Sequence, residues 1–444
     1  MGRCAVSTQK QKRPFALRAL AAFAGTLAIL FVLLLAAYAL PGERVRQHVY
    51  DSARTIQNEG LYPEYLGFKL FQMDNYTDTL MLFEAASADE LPPLQAMMTN
   101  TAYNVDNFET LADDLAWYIE KDWSTGAQRT DAPALEPFSY ARYWHGYLIW
   151  LRPLLLLMPY TGVRIVQYIV LFALLAVVLV QLRRRCGLRA AVWFAVSQLA
   201  VSVWFVPHQV QYFTCFMIAY AGCAWVLAKP RRSDVLCLGL LVLGTATAFC
   251  DLLVTPIITL GLPLTCWLLE PQQRLRGGVP QCALAVGGSL CWGTGYALCW
   301  AGKWALAGAV TGNNVLADAL HQAEVRTTAD TWHGMELTWC NIFGFLYDTL
   351  NSHHLFWPAL AVLAVLIALF ILSIRSKTAL VRALPLALTT CMTPAWFVLL
   401  RTHSIQHGWF TWRALGLTVF AGLAFLYYAC DLRAARRRLQ KGSI

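Results

Sequence analysis

The hydrophobic pattern of the chain is a series of apolar runs, about 20 residues each, separated by shorter polar turns. A helix of that length crosses a hydrocarbon core about 30 Å thick. The run at 145–160 is shorter and is interrupted by Arg152 and Pro153, so we interpret it as an interfacial or re-entrant helix. The pattern predicts an all-α, polytopic transmembrane helical bundle of about ten spans, at 19–40, 163–182, 188–206, 209–228, 235–250, 252–269, 280–301, 355–374, 380–400 and 411–430.

Basic residues assign a side to these spans. The second span ends directly in the arginine triplet 183–185, and 22 of the 35 Lys and Arg lie in turns that the ten-span pattern places on one side. Only three acids lie on that side. Since cytoplasmic turns carry the excess of Lys and Arg, both termini are predicted to be cytoplasmic. The basic N-terminus precedes an apolar run longer than a signal-peptide core, which predicts a retained signal anchor.

The spans divide the chain into topological segments. The first external segment is acidic, with 17 Asp and Glu against 7 Lys and Arg over 41–142, and all nine histidines fall on the external side. We therefore expect any chemistry to take place outside. The predicted order is a cytoplasmic N-terminus (1–18), the first span (19–40), a long external loop (41–162) with interfacial helix 145–160, spans two to seven (163–301), a second external loop (302–353), spans eight to ten (354–430) and a basic cytoplasmic tail (431–444).

Composition supports this class and excludes others. The chain of 444 residues is 58 % apolar and 14 % charged, against about 25 % charged in a typical soluble domain, and its mean hydropathy is +0.47. The net charge of +9 is explained by topology, so nucleic acid is not an expected partner. The 13 cysteines lack C-x-x-C spacing, which disfavours a zinc site. We expect a multi-pass plasma-membrane protein, and the short tails favour a bacterial cytoplasmic membrane.

Asp74 and Asp78 are the first catalytic candidates. In a helix their i, i+4 spacing places both carboxylates on one face. Two such groups can divide a proton between them or hold a divalent cation, the one cofactor that the sequence suggests. The alternative interpretation is structural: with Asn75 and Thr77 behind it, Asp74 is also a good N-cap residue.

A second set of candidates surrounds the short apolar run. His145 titrates near neutral pH and can move a proton or meet a phosphate. Arg142, Arg152 and Arg164 are expected at headgroup height, where a guanidinium binds phosphate with two hydrogen bonds. The same arginines are equally compatible with ordinary snorkelling at the membrane surface.

The remaining candidates lie at the predicted outer ends of later spans. Asp251 stands at a hairpin tip, where an ionisable residue near the membrane core is costly and suggests function. Lys303 ends the seventh span. His403 and His407 have the i, i+4 spacing of a helical zinc pair but lack a convincing third ligand. We prefer a phosphate-binding cradle made of Arg401, His403, His407 and Arg413.

The cytoplasmic N-terminus, the long first external loop and its interfacial helix together resemble the GT-C class of integral-membrane glycosyltransferases. The resemblance is architectural and rests on no specific motif. It implies transfer of a sugar from a polyprenyl-phosphate-linked donor to an acceptor at the outer face, with an acid of the first loop as base. Membrane lipids and that donor would be the partners. The alternatives are a transporter or flippase of a lipid-linked or small polar substrate, and a non-catalytic cell-envelope assembly protein.

Overall fold

The computed structural model describes residues 14–104, 114–115, 136–276, 278–328, 331–332, 335–336, 338, 344–351, 354 and 356–431. The predicted basic segments before residue 14 and after residue 431 lie outside these ranges. The described chain is almost entirely helical. Its two pairs of short antiparallel strands are β1 (Thr101–Asn104) with β2 (Glu136–Ser139), and β3 (Thr331–Trp332) with β4 (Met335–Glu336).

The helices follow one another with short connections. The first nine are α1 (Phe15–Tyr38), α2 (Glu43–Glu59), α3 (Asn75–Ser87), α4 (Pro93–Thr99), α5 (Leu148–Leu155), α6 (Tyr160–Cys186), α7 (Leu188–Ala200), α8 (Val210–Ala228) and α9 (Ser233–Cys250). They are followed by α10 (Ile257–Leu268), α11 (Pro271–Arg274), α12 (Gly278–Thr311), α13 (Val315–Thr328), α14 (Gly344–Asn351), α15 (Phe356–Ser373), α16 (Lys377–Leu399), α17 (Arg401–Gln406), α18 (Gly408–Thr411) and α19 (Leu415–Ala429).

Eight described helical segments are long and apolar enough to cross a membrane: α1, α6, α8, α9, α12, α15, α16 and the segment Gly408–Ala429. The helices in two of the ten predicted spans are shorter: α7, in span 188–206, has 13 residues, and α10, in span 252–269, has 12. At 1.5 Å per residue α10 is only about 18 Å long, less than the hydrocarbon thickness. The structure confirms the helical class and fits a multi-pass membrane protein.

Helix α12 is the longest element. Its 34 residues continue without a break through residue 301, where the sequence predicts the end of a span. The helix is therefore about 51 Å long, more than a hydrocarbon core requires, and one end projects beyond it. Against α9 it packs backbone to backbone, because Gly244 lies on Trp292 and Gly295 lies on Leu241. Small residues at such crossings let transmembrane helices approach closely.

The basic turns meet at one end of the bundle. Three contacts join the start of α1 and the ends of α6, α9 and α10 that carry these turns: Arg185 with Glu270 (2.9 Å), Arg18 with Asp234 (2.9 Å), and the Trp267 indole with the Arg231 carbonyl (3.1 Å). The opposite end holds the start of α8 and the 251–256 turn. The candidate residues predicted from the sequence lie at this second end.

Candidate functional site

Asp74 is the N-cap of α3. One carboxylate oxygen accepts the Thr77 amide N–H at 3.0 Å, and the other accepts the Thr77 hydroxyl at 2.9 Å. The side chain is buried, and burial raises the pKa of Asp74 although the Thr77 donors oppose the shift. The geometry matches the capping interpretation of this residue.

Asp78 lies on the same helix and contacts the start of α8. Its carboxylate accepts the backbone N–H groups of Val210 at 3.2 Å and Gln211 at 3.4 Å, and the Tyr160 hydroxyl also donates to it. The N-terminal N–H groups of a helix favour a negative charge. Burial raises the pKa of Asp78 well above its usual range, while the charge of Arg164 acts in the opposite direction. Asp78 therefore joins α3 to α8.

Metal binding is one role that the spacing of this acid pair allows. Among the residues that the structure describes, no group of three or more His, Cys, Asp or Glu side chains could hold a metal ion. Asp74 and Asp78 each contact protein donors instead. Their arrangement favours a structural role over a direct catalytic one.

His145 pairs with a carboxylate that is not among the candidates predicted from the sequence. Its Nδ1 lies 2.7 Å from Oε2 of Glu84, and its Nε2 lies 3.2 Å from the Tyr140 carbonyl. The Tyr147 hydroxyl also donates to Glu84. Glu84, His145 and Tyr147 are buried, and the His145 backbone has a φ of +55°. The Glu84–His145 pair fixes the strained turn before α5 against α3.

Lys303 is buried inside the long helix α12. Its ammonium group donates to the Met97 carbonyl at 2.7 Å and to the Asn100 side chain at 2.6 Å. These acceptors lie at the C-terminal end of α4, where carbonyl groups lack intrahelical partners and attract cations. Lys303 thus ties α4 to α12.

Asp251 and His403 hold the 251–256 turn from its two sides. The Asp251 carboxylate accepts the Val254 amide N–H at 3.1 Å, and His403 Nε2 lies 2.9 Å from the Leu253 carbonyl. Between them Leu253 adopts a φ of +68°, a conformation that costs energy for a branched side chain. Burial raises the pKa of Asp251 to about 7.

In the predicted phosphate cradle, the structure places the two histidines against each other. The rings of His403 and His407 are 4.7 Å apart and buried, and burial lowers both pKa values, that of His407 to about 4. Both imidazoles are therefore neutral at pH 7. Arg413 instead lies 4.5 Å from the Tyr212 ring, and Arg401 begins α17.

A ladder of aromatic rings runs along α12 toward the same end of the bundle. Its members recur every four residues, so they share one face of the helix. Successive ring centroids are 4.8, 4.8 and 6.0 Å apart, from Trp292 through Tyr296 and Trp300 to Trp304.

An aromatic cleft of about 120 Å³ opens between this ladder and α13. The residues that define the aromatic cleft come from three places: the α12 rings Tyr296, Trp300 and Trp304, the α13 face 319–327, and Arg142, Tyr143, Leu253, Trp396 and Leu400. The α13 face includes Gln322 and Arg326. No acidic side chain among the described residues lines the cleft.

Several polar groups of the aromatic cleft lack partners. The Tyr296 hydroxyl, the Trp300 indole N–H and Arg142 Nε are buried and form no hydrogen bond with a described residue. Buried donors are normally paired, so such a cluster suggests a bound ligand. Nη1 of the same guanidinium contacts the exposed carboxylate of Asp318 at 3.2 Å.

Of the candidates chosen from sequence, Arg142 lines the aromatic cleft. Asp251 and His403 do not line it, but they hold the turn that places Leu253 in its wall. Sequence reasoning missed Arg326 and the aromatic ladder. Both leave a signal, because 319, 322, 323 and 326 follow the i, i+3, i+4, i+7 pattern of one helix face. No protein-family model, curated protein or solved structure matches the chain.

Proposed function

We propose that the protein is a GT-C-like membrane glycosyltransferase whose aromatic cleft binds a polyprenyl-phosphate sugar donor. The supporting observation is the combination, in one cleft, of packed aromatic rings, two guanidinium groups and unpaired buried donors. Rings suit an unsaturated hydrocarbon chain, and guanidinium groups suit phosphate. An amphipathic anion fits both.

The size of the cleft limits what it encloses. A volume of about 120 Å³ is below the roughly 300 Å³ of sites that enclose a drug-sized ligand. The cleft would therefore receive the phosphate and the first isoprene units, while the remaining chain stays among the lipids. The phosphate would replace Asp318 on Arg142 and would lie within reach of Arg326.

Asp318 is our candidate for the general base. It is exposed, precedes the cleft residue Ala319 on α13 and contacts Arg142, whereas Asp74, Asp78 and Asp251 are buried with protein donors. Once phosphate displaces it from Arg142, its carboxylate is released beside the reacting centre. There it can accept the proton of an acceptor hydroxyl.

Charge distribution supports an outward-facing cleft. Two helices that form it, α12 and α16, begin at the opposite end beside Arg274, Arg375 and Arg382, and such basic turns are typically cytoplasmic. With α7 counted together with the 3₁₀ helix Val203–His208 that follows it, and α10 together with the 251–256 turn that precedes it, the ten-span arrangement with both termini inside remains our proposal. The cleft would then face the outer leaflet of the plasma membrane.

Binding of an isoprenyl phosphate to the purified full chain in detergent tests the proposal. We expect Arg142→Gln and Arg326→Gln to weaken binding about tenfold or more, since each removes a charge-assisted hydrogen bond. Arg54→Gln, on α2 against Tyr50, is the matched control and should bind normally. Asp318→Asn should bind donor at least as tightly and lose transfer. Equal binding by all variants would refute the assignment of the cleft.

A further inference from the structure

A second cavity lies at the other end of α12 and α16, two of the helices that line the aromatic cleft. It has a volume of about 320 Å³ and is bounded by the first turn of α12, by the first ten residues of α16, by α11 and by Tyr428 near the end of α19. Gln281 in this cavity and Tyr296 in the aromatic cleft are 15 residues apart on α12, or about 22 Å. The two sites are therefore separate.

The lining of this basic pocket is cationic. Arg274, Arg375 and Arg382 contribute guanidinium groups, and no acidic side chain of the described chain lines the pocket. Arg382 makes no ion pair or hydrogen bond with a described residue. Arg375 and Arg382 are exposed, so solvent screens their repulsion, but three like charges around one cavity raise the local concentration of anions.

The start of α16 adds donors to the same pocket. Ser376 is the N-cap of this 23-residue helix and accepts the Ala379 N–H at 3.1 Å, and Thr378 lines the cavity. The remaining N–H groups of a helix N-terminus favour anions, phosphate in particular. The helix terminus and the arginines thus act on the same space.

Two buried polar atoms provide an independent indication of a ligand. Gln281 is 4 % exposed, and its Oε1 forms no hydrogen bond with a described residue, although its Nε2 donates to the Gln273 carbonyl at 3.1 Å. Arg274 donates to the Tyr428 hydroxyl at 2.6 Å, but its buried Nε is also unpaired. Unsatisfied buried groups are uncommon in folded proteins and call for a partner.

We propose that the basic pocket binds a phosphate group, with a hydrogen-bond donor of the same ligand placed against Gln281. The volume is large enough for a phosphate ester with a small polar substituent. Two kinds of ligand carry such a phosphate group, a phospholipid with its headgroup and a soluble phosphate compound. The proposal does not depend on the function assigned to the aromatic cleft.

The test uses the full chain in a non-ionic detergent and measures binding by calorimetry. One arm titrates inorganic phosphate and glycerol 3-phosphate, and the other titrates a short-chain phosphatidylglycerol. We expect Arg382→Gln to weaken binding about tenfold, as loss of one charge-assisted contact predicts. Arg274→Gln should weaken binding further. If loss of the Tyr428 contact prevents Arg274→Gln from folding, Arg382→Gln alone tests the pocket.

Arg276→Gln is the matched control, because Arg276 is exposed, two residues from Arg274, and does not line the pocket. Binding of phospholipid alone would identify a headgroup site, and binding of the soluble phosphates would identify a free-anion site; either result supports the pocket if Arg276→Gln binds normally. No binding in both arms, or an equal loss with Arg276→Gln, would overturn the proposal.

Discussion

The crossing of α9 and α12 should tolerate no side chain at two glycines. A Cβ atom added at Gly295 would lie 2.2 Å from the Leu241 carbonyl oxygen, and one at Gly244 would lie 2.0 Å from the Trp292 carbonyl oxygen. Real Cβ contacts are essentially never under 3.0 Å, so the helices must separate by about 0.8 to 1.0 Å. The obstructing atoms are backbone, which no rotamer change can move away.

Overpacking of this kind costs about 1–3 kcal/mol per site. For a chain of 444 residues, whose unfolding entropy is about 0.9 kcal/mol/K, we expect a decrease of about 1–3 °C in the unfolding midpoint of Gly295→Ala or Gly244→Ala. Because α12 carries the aromatic ladder, the same displacement should weaken binding of an isoprenyl phosphate in the cleft. The effect comes from helix geometry and requires no contact with the ligand.

Thermal unfolding of the purified protein in detergent measures this effect. The matched control is Gly293→Ala on the same helix, where an added Cβ meets nothing within 4 Å. Alanine there should be neutral or stabilising by up to about 1 kcal/mol, as its greater helix propensity predicts. A Gly295→Ala protein as stable as Gly293→Ala would refute the close crossing of the two helices.

Three further predictions concern buried ionisable residues, each measured by unfolding midpoint. Asp78→Ala should cost about 2–6 kcal/mol because it leaves two buried N–H groups without their acceptor, while the Tyr160 hydroxyl keeps the His208 carbonyl; Asp78→Asn should cost less. In the folded protein the pKa of His407 falls to about 4. The stability that neutral His407 contributes is therefore present above about pH 6.5 and is lost as the pH falls through 4. His407→Phe should not show this loss of stability at acidic pH. The pKa of Asp251 rises to about 7, so its contribution is present below about pH 4 and is lost as the pH rises through 7; Asp251→Asn should remove that slope, and an unchanged profile would contradict the burial of the carboxylate.

The helical class could be predicted from sequence because apolar run length and helix length are linked by a fixed rise per residue. The extension of α12 to Thr311 could not, since Lys303 suggests the end of an apolar run. Its charge is tolerated because the carbonyl end of α4 lies beside it, and that proximity depends on residues about 200 positions away in sequence.

The candidate site likewise contains some features that local sequence predicts and others that depend on contacts between distant residues. The N-cap interpretation of Asp74 follows from the residues next to it, Asn75 and Thr77, and matches the structure. The Glu84–His145 pair and the Arg142–Asp318 pair each join distant segments, so no local pattern reveals them. The aromatic ladder and the α13 face are local, and a search for helical spacing among Trp, Tyr and Arg would have found both.

Photo-crosslinking with a diazirine-bearing isoprenyl phosphate tests whether the aromatic cleft is the donor site. After proteolysis and mass spectrometry, we expect labelled peptides from 296–304 on α12 and 319–327 on α13, with labelling reduced by Arg142→Gln. A second apolar groove around Gly222 and Trp225 provides an internal comparison. Labelling confined to that groove, or unaffected by Arg142→Gln, would contradict the proposed donor site.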